Sequence, residues 1–257
     1  MADQTPTISR TLFTEIIATN EVGDPDNAYK LSHAGTANSG FSVGIFQLDL
    51  AHQPSARTTV ENFLKQSGAF SDADMATISQ GLTTTGQPDA IAANLQAAMN
   101  TQFAEAAGQT MINGLDAGQL DGLMDNIGQA CANAQANPRY TSDDAFKAFS
   151  DGDLFQALIG DNANQYGPPN TFGRYIQGQS VTVGGDSLEL GDNLWDFQAF
   201  AAYEAHYSYV RNSEQGAHDM RRRRTNIMDI LNAHGELDDT QKGDNLTIIQ
   251  TTYQAVT

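Results

Sequence analysis

Leu120, Leu123, Met124, Ile127, Cys131 and Ala134 recur at intervals of three or four, and Pro138 follows shortly after. That spacing lines apolar side chains along one face of a 3.6-residue helix; a strand, with its period of two, would split them between two faces. A helix of this kind needs another apolar surface to pack against. The same chain supplies candidates. Ile8, Leu12, Phe13, Ile16 and Ile17 fall on one face near the N-terminus, behind a Thr5-Pro6 pair that reads as an N-cap and first helical residue. Further helices are expected at Ser55–Gln66, after Ser71 with Asp74 completing an acidic capping box, and after Pro88 through Ile91, Leu95, Ala98 and Met99. Others are expected after Ser142, from Asn193 through Trp195, Phe197, Phe200, Tyr203, Tyr207 and Val210, and from Asp238 to Tyr253. The fold class expected is mainly α, with Met99, Met111 and Met124 as core side chains.

With 257 residues the chain is long enough for one large domain or two small ones, and 40% hydrophobic with 17% charged residues makes it globular. No run approaches the roughly 18 apolar residues of a membrane span. No signal peptide is visible in MADQTPTISR, although a mature chain whose leader had been removed would read the same. Cys131 is the single cysteine, so no disulfide forms within the chain, and its place on the apolar stripe makes it a small core residue. The net charge of −18 argues against nucleic acid, whose binding rests on Lys and Arg at phosphates, and against an anionic membrane surface. It would steer a cationic polymer such as chitosan toward the chain and would oppose an anionic one. The histidines are scattered, and neither a metal-ligand cluster nor a cofactor motif is expected.

Chemistry concentrates in EVGDPDNAYKLSHAGTANSGFSVGIFQLD, residues 21–49. Glu21 closes the first amphipathic helix, where the dipole disfavours a negative charge. A Gly-, Ser- and Asn-rich run follows, and then the Gly-punctuated FSVGIFQLD. A carboxylate so placed is either a proton donor over a cleft or a helix-end glutamate in solvent beside an ordinary hairpin. Glu15 reads as structural or exposed.

The ordered set Glu21, Pro25, Asn27-Ala28, Ser39-Gly40, Gly44 and Gln47 resembles the active-site segment of the lysozyme-like superfamily. Ser42-Val43-Gly44-Ile45-Phe46-Gln47 is similar to the S-x-G-x-x-Q of its lytic transglycosylase and goose-type branch. Glu21, Tyr29-Lys30 and Phe41–Ile45 resemble the phage-lysozyme branch. The likeness covers about a sixth of the chain directly. It implies a lysozyme-like helical domain with a small β-hairpin after the first helix, enlarged by insertions. It also implies a glycosidase, muramidase-like, cleaving β-1,4 bonds of peptidoglycan glycan strands. Chitosan is an alternative substrate; a lytic transglycosylase and a non-catalytic glycan-binding protein are alternative roles. Delivery would be to the cell wall, by secretion, to the periplasm or as a phage or effector protein, and a monomer is expected.

Glu21 would be the general acid. Ser42 would position a water, or be a plain hairpin serine. Gln47 would bond substrate or brace Glu21, and Tyr29 and Phe41 would contact the sugar. The family hairpin carries an aspartate that is missing here, because no carboxylate lies between Asp26 and Asp49. Retention through an enzyme nucleophile needs two carboxyls about 5 Å apart, whereas inversion tolerates roughly 6.5–9.5 Å. The expectation is therefore inversion with Asp26 or Asp49 as base, or anhydro-product formation by Glu21 alone. Asp49 also reads as an N-cap.

Two more segments bear on the site. Residues 160–191 form a long Gly-, Pro- and Asn-rich stretch expected to be a loop, with Tyr166, Phe172, Arg174 and Tyr175 of the right types to stack on sugars and bond their hydroxyls. Val181–Leu190 is expected to form a hairpin about Gly184-Gly185. Gly216 followed by the Arg221-Arg222-Arg223-Arg224 run is similar to the last helix of phage-type lysozymes. The resemblance implies that one of the four points inward to the catalytic glutamate or its support. A single domain with two lobes is expected, residues 1–70 with 190–257 on the catalytic side and 71–190 as helical insertion and loop.

Overall fold

The structure, a computed structural model, describes residues 5–35, 38–190 and 196–254. Among them are twelve α-helices and five short strands, so the mainly α expectation holds. No described helix is long and apolar enough to cross a membrane. The chain divides into two compact units, Ile17–Asp121 and Met1–Ile16 with Gly122–Thr257. The divisions fall inside the helices α1 (Arg10–Glu21) and α5 (Ala106–Gln135), not near the expected positions 70 and 190.

In the unit Ile17–Asp121, the end of α1 leads through a 3-10 turn, Pro25–Tyr29, to three antiparallel strands: β1 (Ser32–His33), β2 (Phe41–Val43) and β3 (Leu48–Asp49). Ser32 pairs with Ser42 and Ser42 with Asp49, so these three form a polar row on one face. Phe41 and Val43 are buried on the other. Helices α2 (Pro54–Ser67), α3 (Asp72–Leu82) and α4 (Ala93–Ala104) supply Val60, Leu64, Ile78, Leu82, Met99 and Phe103 to the same core. The capping box is present in full: the Ser71 side chain accepts from the Asp74 N–H and the Asp74 carboxylate accepts from the Ser71 N–H.

The other unit holds the rest of α5, then α6 (Asp144–Asp151), α7 (Asp153–Tyr166), α8 (Asn170–Ile176), a hairpin of β4 (Val181–Val183) and β5 (Asp186–Leu188), α9 (Phe197–Glu204), α10 (Ser208–Arg211), α11 (Glu214–Ala233) and α12 (Asp239–Thr252). The hairpin about Gly184-Gly185 is as expected. The first helix starts later than Thr5-Pro6 implies. Gln156 Oε1 accepts the N–H groups of Thr7 and Ile8 at 2.8 and 3.1 Å, and the cap is Ser9, whose hydroxyl accepts the Leu12 N–H at 3.1 Å. At α6 the cap is Asp143 in place of Ser142, since its carboxylate accepts from both Ala145 and Phe146.

The stretch expected to be a loop from 160 instead contains the end of α7 and the whole of α8 before it reaches the hairpin. Its polar letters mislead because Asp161 and Asn162 point into a buried network and not into water. Arg223 donates to Asp161 at 2.5 and 3.1 Å. Arg224 bridges Asp161 at 2.5 Å and Glu204 at 2.5 and 2.9 Å. Tyr253 donates its hydroxyl to Glu204 at 2.7 Å, and Asn162 Nδ2 donates to the same carboxylate at 2.9 Å. Two guanidiniums thus meet two carboxylates with almost no exposure (Arg223 2%, the others 0%). Burial opposes the charge on Arg224, and the adjacent Glu204 and Asp161 outweigh it, holding the guanidinium firmly protonated.

The long aromatic helix expected from Asn193 is shorter and interrupted. Residues 193–195, Trp195 among them, lie outside the described residues. Asp196 caps α9, which ends at Glu204, and α10 begins only at Ser208. The β4–β5 hairpin sits at the break, where Asp186 bonds His206 Nδ1 at 2.8 Å and also takes Arg211.

Candidate active site

Glu21 is the last residue of α1 and is half-buried. The helix closes there because the Val22 and Gly23 N–H groups both return to the Ala18 carbonyl at 3.0 Å. The next residues fold on themselves. Asp24 accepts the Asp26 N–H, Asn27 Nδ2 donates to the Val22 carbonyl at 3.2 Å, and Lys30 Nζ donates to Asn27 Oδ1 at 3.0 Å. Asp26 itself is exposed. The Tyr29 hydroxyl donates to Asn113 at 2.9 Å.

The turn between β2 and β3 is anchored from three directions. The Gly44 N–H donates to the Ala28 carbonyl at 2.9 Å, joining the two halves of the Glu21 segment. Gln47, left-handed at φ 51°, returns its side-chain amide to the Gly44 carbonyl at 3.0 Å and accepts the Ser32 hydroxyl. Asp116, reaching from α5, accepts the N–H groups of Ile45 at 3.0 Å and Phe46 at 3.4 Å. Gly44 is required here twice over: its φ is +85°, and a Cβ would lie 2.3 Å from Asp116 Oδ1. Burial raises the Asp116 carboxyl above its ordinary range, against the lowering effect of the two N–H groups.

Ser42 is half-buried in the polar row of the sheet, beside Asp49. The Asp49 carboxylate is engaged by backbone. Oδ2 accepts Gly40 at 3.0 Å, and Oδ1 accepts Ala51 at 2.9 Å and His52 at 3.4 Å. Its structure is therefore that of the turn cap. Phe41 is 1% exposed, with its ring edge-on to His33 at 5.1 Å. That corrects its assignment as a sugar contact: the alternation of the strand turns it into the core.

Asp26 and Tyr29 line an open groove of about 380 Å³ together with Lys30, Asn100, Ala104 and Gln109. Glu21 is not in that lining. The remaining candidates belong to the other unit. Phe172 and Tyr175 are 2% and 6% exposed within a cluster that includes Phe155, Phe200 and Tyr203, which removes them as stacking platforms. Tyr166 is 40% exposed, with its ring 4.6 Å from that of Tyr207, and Arg174 is exposed. The arginine run divides by helical geometry. Arg223 and Arg224 point inward to Asp161 and Glu204, which the sequence reading did not single out. Arg221 and Arg222 line a groove of about 360 Å³ between α11 and α12 with His218 and Gln250.

Asp116 also escaped the sequence reading, and a signal for it exists. Stepping back four residues from Leu120 along the clearest apolar stripe reaches Asp116, and four more reach Ile112. A carboxylate on a buried face marks a group held for a purpose.

The chain matches no model of a known protein family, no curated protein and no solved structure.

Proposed function

We propose that the chain is a lysozyme-like glycoside hydrolase that cleaves β-1,4 bonds of peptidoglycan glycan strands, with Glu21 as general acid. The observation that carries this reading is the bond from Gly44 to Ala28. It joins the two motif segments that resemble the superfamily, immediately after a half-buried glutamate at a helix end. The Ser32, Ser42 and Asp49 row supplies hydroxyls that can hold a water. Protonation of the leaving oxygen by Glu21 would break the glycosidic bond while water adds to the anomeric carbon. Asp26 is the better candidate for the base, since it is exposed and the Asp49 oxygens are occupied by three backbone N–H groups.

That occupation also favours a second reading, in which Glu21 acts alone as acid and then base and releases an anhydro sugar. Glu21→Gln removes the proton with little change in shape. Turnover of peptidoglycan should fall about a hundred- to ten-thousand-fold with folding unchanged. Product masses separate the two routes, because hydrolysis adds one water per cut and the transglycosylase route adds none. Peptidoglycan and chitosan left intact by the wild type would refute the reading.

A further inference from the structure

The groove between the Pro25–Tyr29 turn and the α4–α5 corner has a lining in which nearly every polar group has one half fixed and the other half on offer. Asn100 Oδ1 accepts the Leu31 N–H at 2.7 Å. That bond fixes the orientation of the amide and leaves Nδ2 as a donor. Gln109 is fixed the opposite way: its Nε2 donates to the Ala104 carbonyl at 2.9 Å, so Oε1 remains as an acceptor. The Tyr29 hydroxyl spends its proton on Asn113 at 2.9 Å and keeps a free lone pair. Lys30 spends one N–H on Asn27 and has others.

The corner itself is tight. A Cβ on Gly108 would lie 2.2 Å from the Gln102 carbonyl, so α4 and α5 meet too closely there for any other residue, and Gln109 is set immediately beside them. Preset donors and acceptors around one aromatic ring match a ligand that carries many hydroxyls and an apolar ring face. The one carboxylate, Asp26, and the one ammonium, Lys30, cancel, so the lining selects neither an anion nor a cation.

We propose that this groove is a binding site for an uncharged sugar ring, with Tyr29 as the stacking surface, Asn100 Nδ2 as the donor and Gln109 Oε1 as the acceptor. The choice of a sugar rests on the function proposed above, while the site does not use Glu21 and can be tested without turnover.

The test is a titration of the ¹⁵N-labelled full chain carrying Glu21→Gln, followed by NMR. The probes are N-acetylchitotetraose (neutral), chitotetraose (cationic) and tetragalacturonate (anionic). The neutral probe should give saturable shifts of the Asn100 and Gln109 side-chain amides and of the Leu31 N–H, and it should bind most tightly of the three. Asn100→Asp retains the acceptor that Leu31 needs and removes the donor; it should weaken binding about tenfold. Tyr29→Ala should weaken it at least as much. Failure of these signals to shift, unchanged binding by both variants, or preference for the cationic probe would overturn the site. Each of those results leaves cleavage by the wild type free to stand. Saturable binding without cleavage of any polysaccharide would instead keep the site and remove the proposed activity.

Discussion

Removing the Arg224 guanidinium would leave Asp161 and Glu204 facing one another in the core without the cation that bridges them, although Arg223, Tyr253 and Asn162 still bond to them. Breaking a buried ion pair from one side costs about 3–5 kcal/mol, because the stranded charge keeps its desolvation penalty. Arg224→Ala should cost that much in chemical denaturation. Arg221→Ala and Arg222→Ala should each cost no more than about 1.5 kcal/mol, since these side chains reach the Tyr253 carbonyl and the Asp219 carboxylate in partly exposed positions. Equal effects at 222 and 224 would contradict the division of the run into an inner and an outer pair.

At the scale of elements, the β2–β3 turn depends on a carboxylate borrowed from α5. Asp116 is raised by burial above its value of 3.8 in an exposed chain, so the folded protein holds its proton more tightly than the unfolded one does. The stabilising contribution of that proton is complete below the unfolded value and is lost as pH rises through the folded value. Asp74, Asp143 and Asp186 are lowered, so they act in the opposite sense and lose stability as pH falls. The stability difference between the wild type and Asp116→Asn, followed by denaturation from acid to neutral pH, should therefore change against the wild type as pH increases. A flat difference would show that the turn does not feel this charge.

Elements with a strict apolar period were legible. Ile8, Leu12, Phe13, Ile16 and Ile17 are all buried, as is every member of the stripe from Leu120 to Ala134. The capping box at Ser71 and the second hairpin were legible from side-chain chemistry that acts within a few residues. Helix α7 was not, because Asp161 and Asn162 look like loop residues until Arg223, Arg224 and Glu204 are placed around them. Of the candidate site, the place of Glu21 at the end of α1 and the strands that follow it could be read from the order of residues. The part played by Asp116 could not, since its partners lie about seventy residues away.

For the whole molecule, the charge of −18 sets how it meets a polymer. Raising ionic strength from about 10 mM to about 150 mM shortens the screening length from about 30 to about 8 Å. Under the activity proposed above, cleavage of anionic peptidoglycan should speed up over that range as repulsion is screened, and any cleavage of chitosan should slow down; initial rates at the two salt concentrations check the sign. The division of the chain has a different kind of consequence, for the order of events during synthesis. Ile17–Asp121 is one uninterrupted stretch, whereas Thr7 is held by Gln156, and Glu15 bonds His234 at 3.0 Å. Domains generally complete in the order in which they leave the ribosome. The middle of this chain can therefore finish its core while the first helix still waits for partners not yet made. The interval during which Ile8, Leu12 and Phe13 stand uncovered is set by the rate of translation, and it is then that the chain has most need of a chaperone.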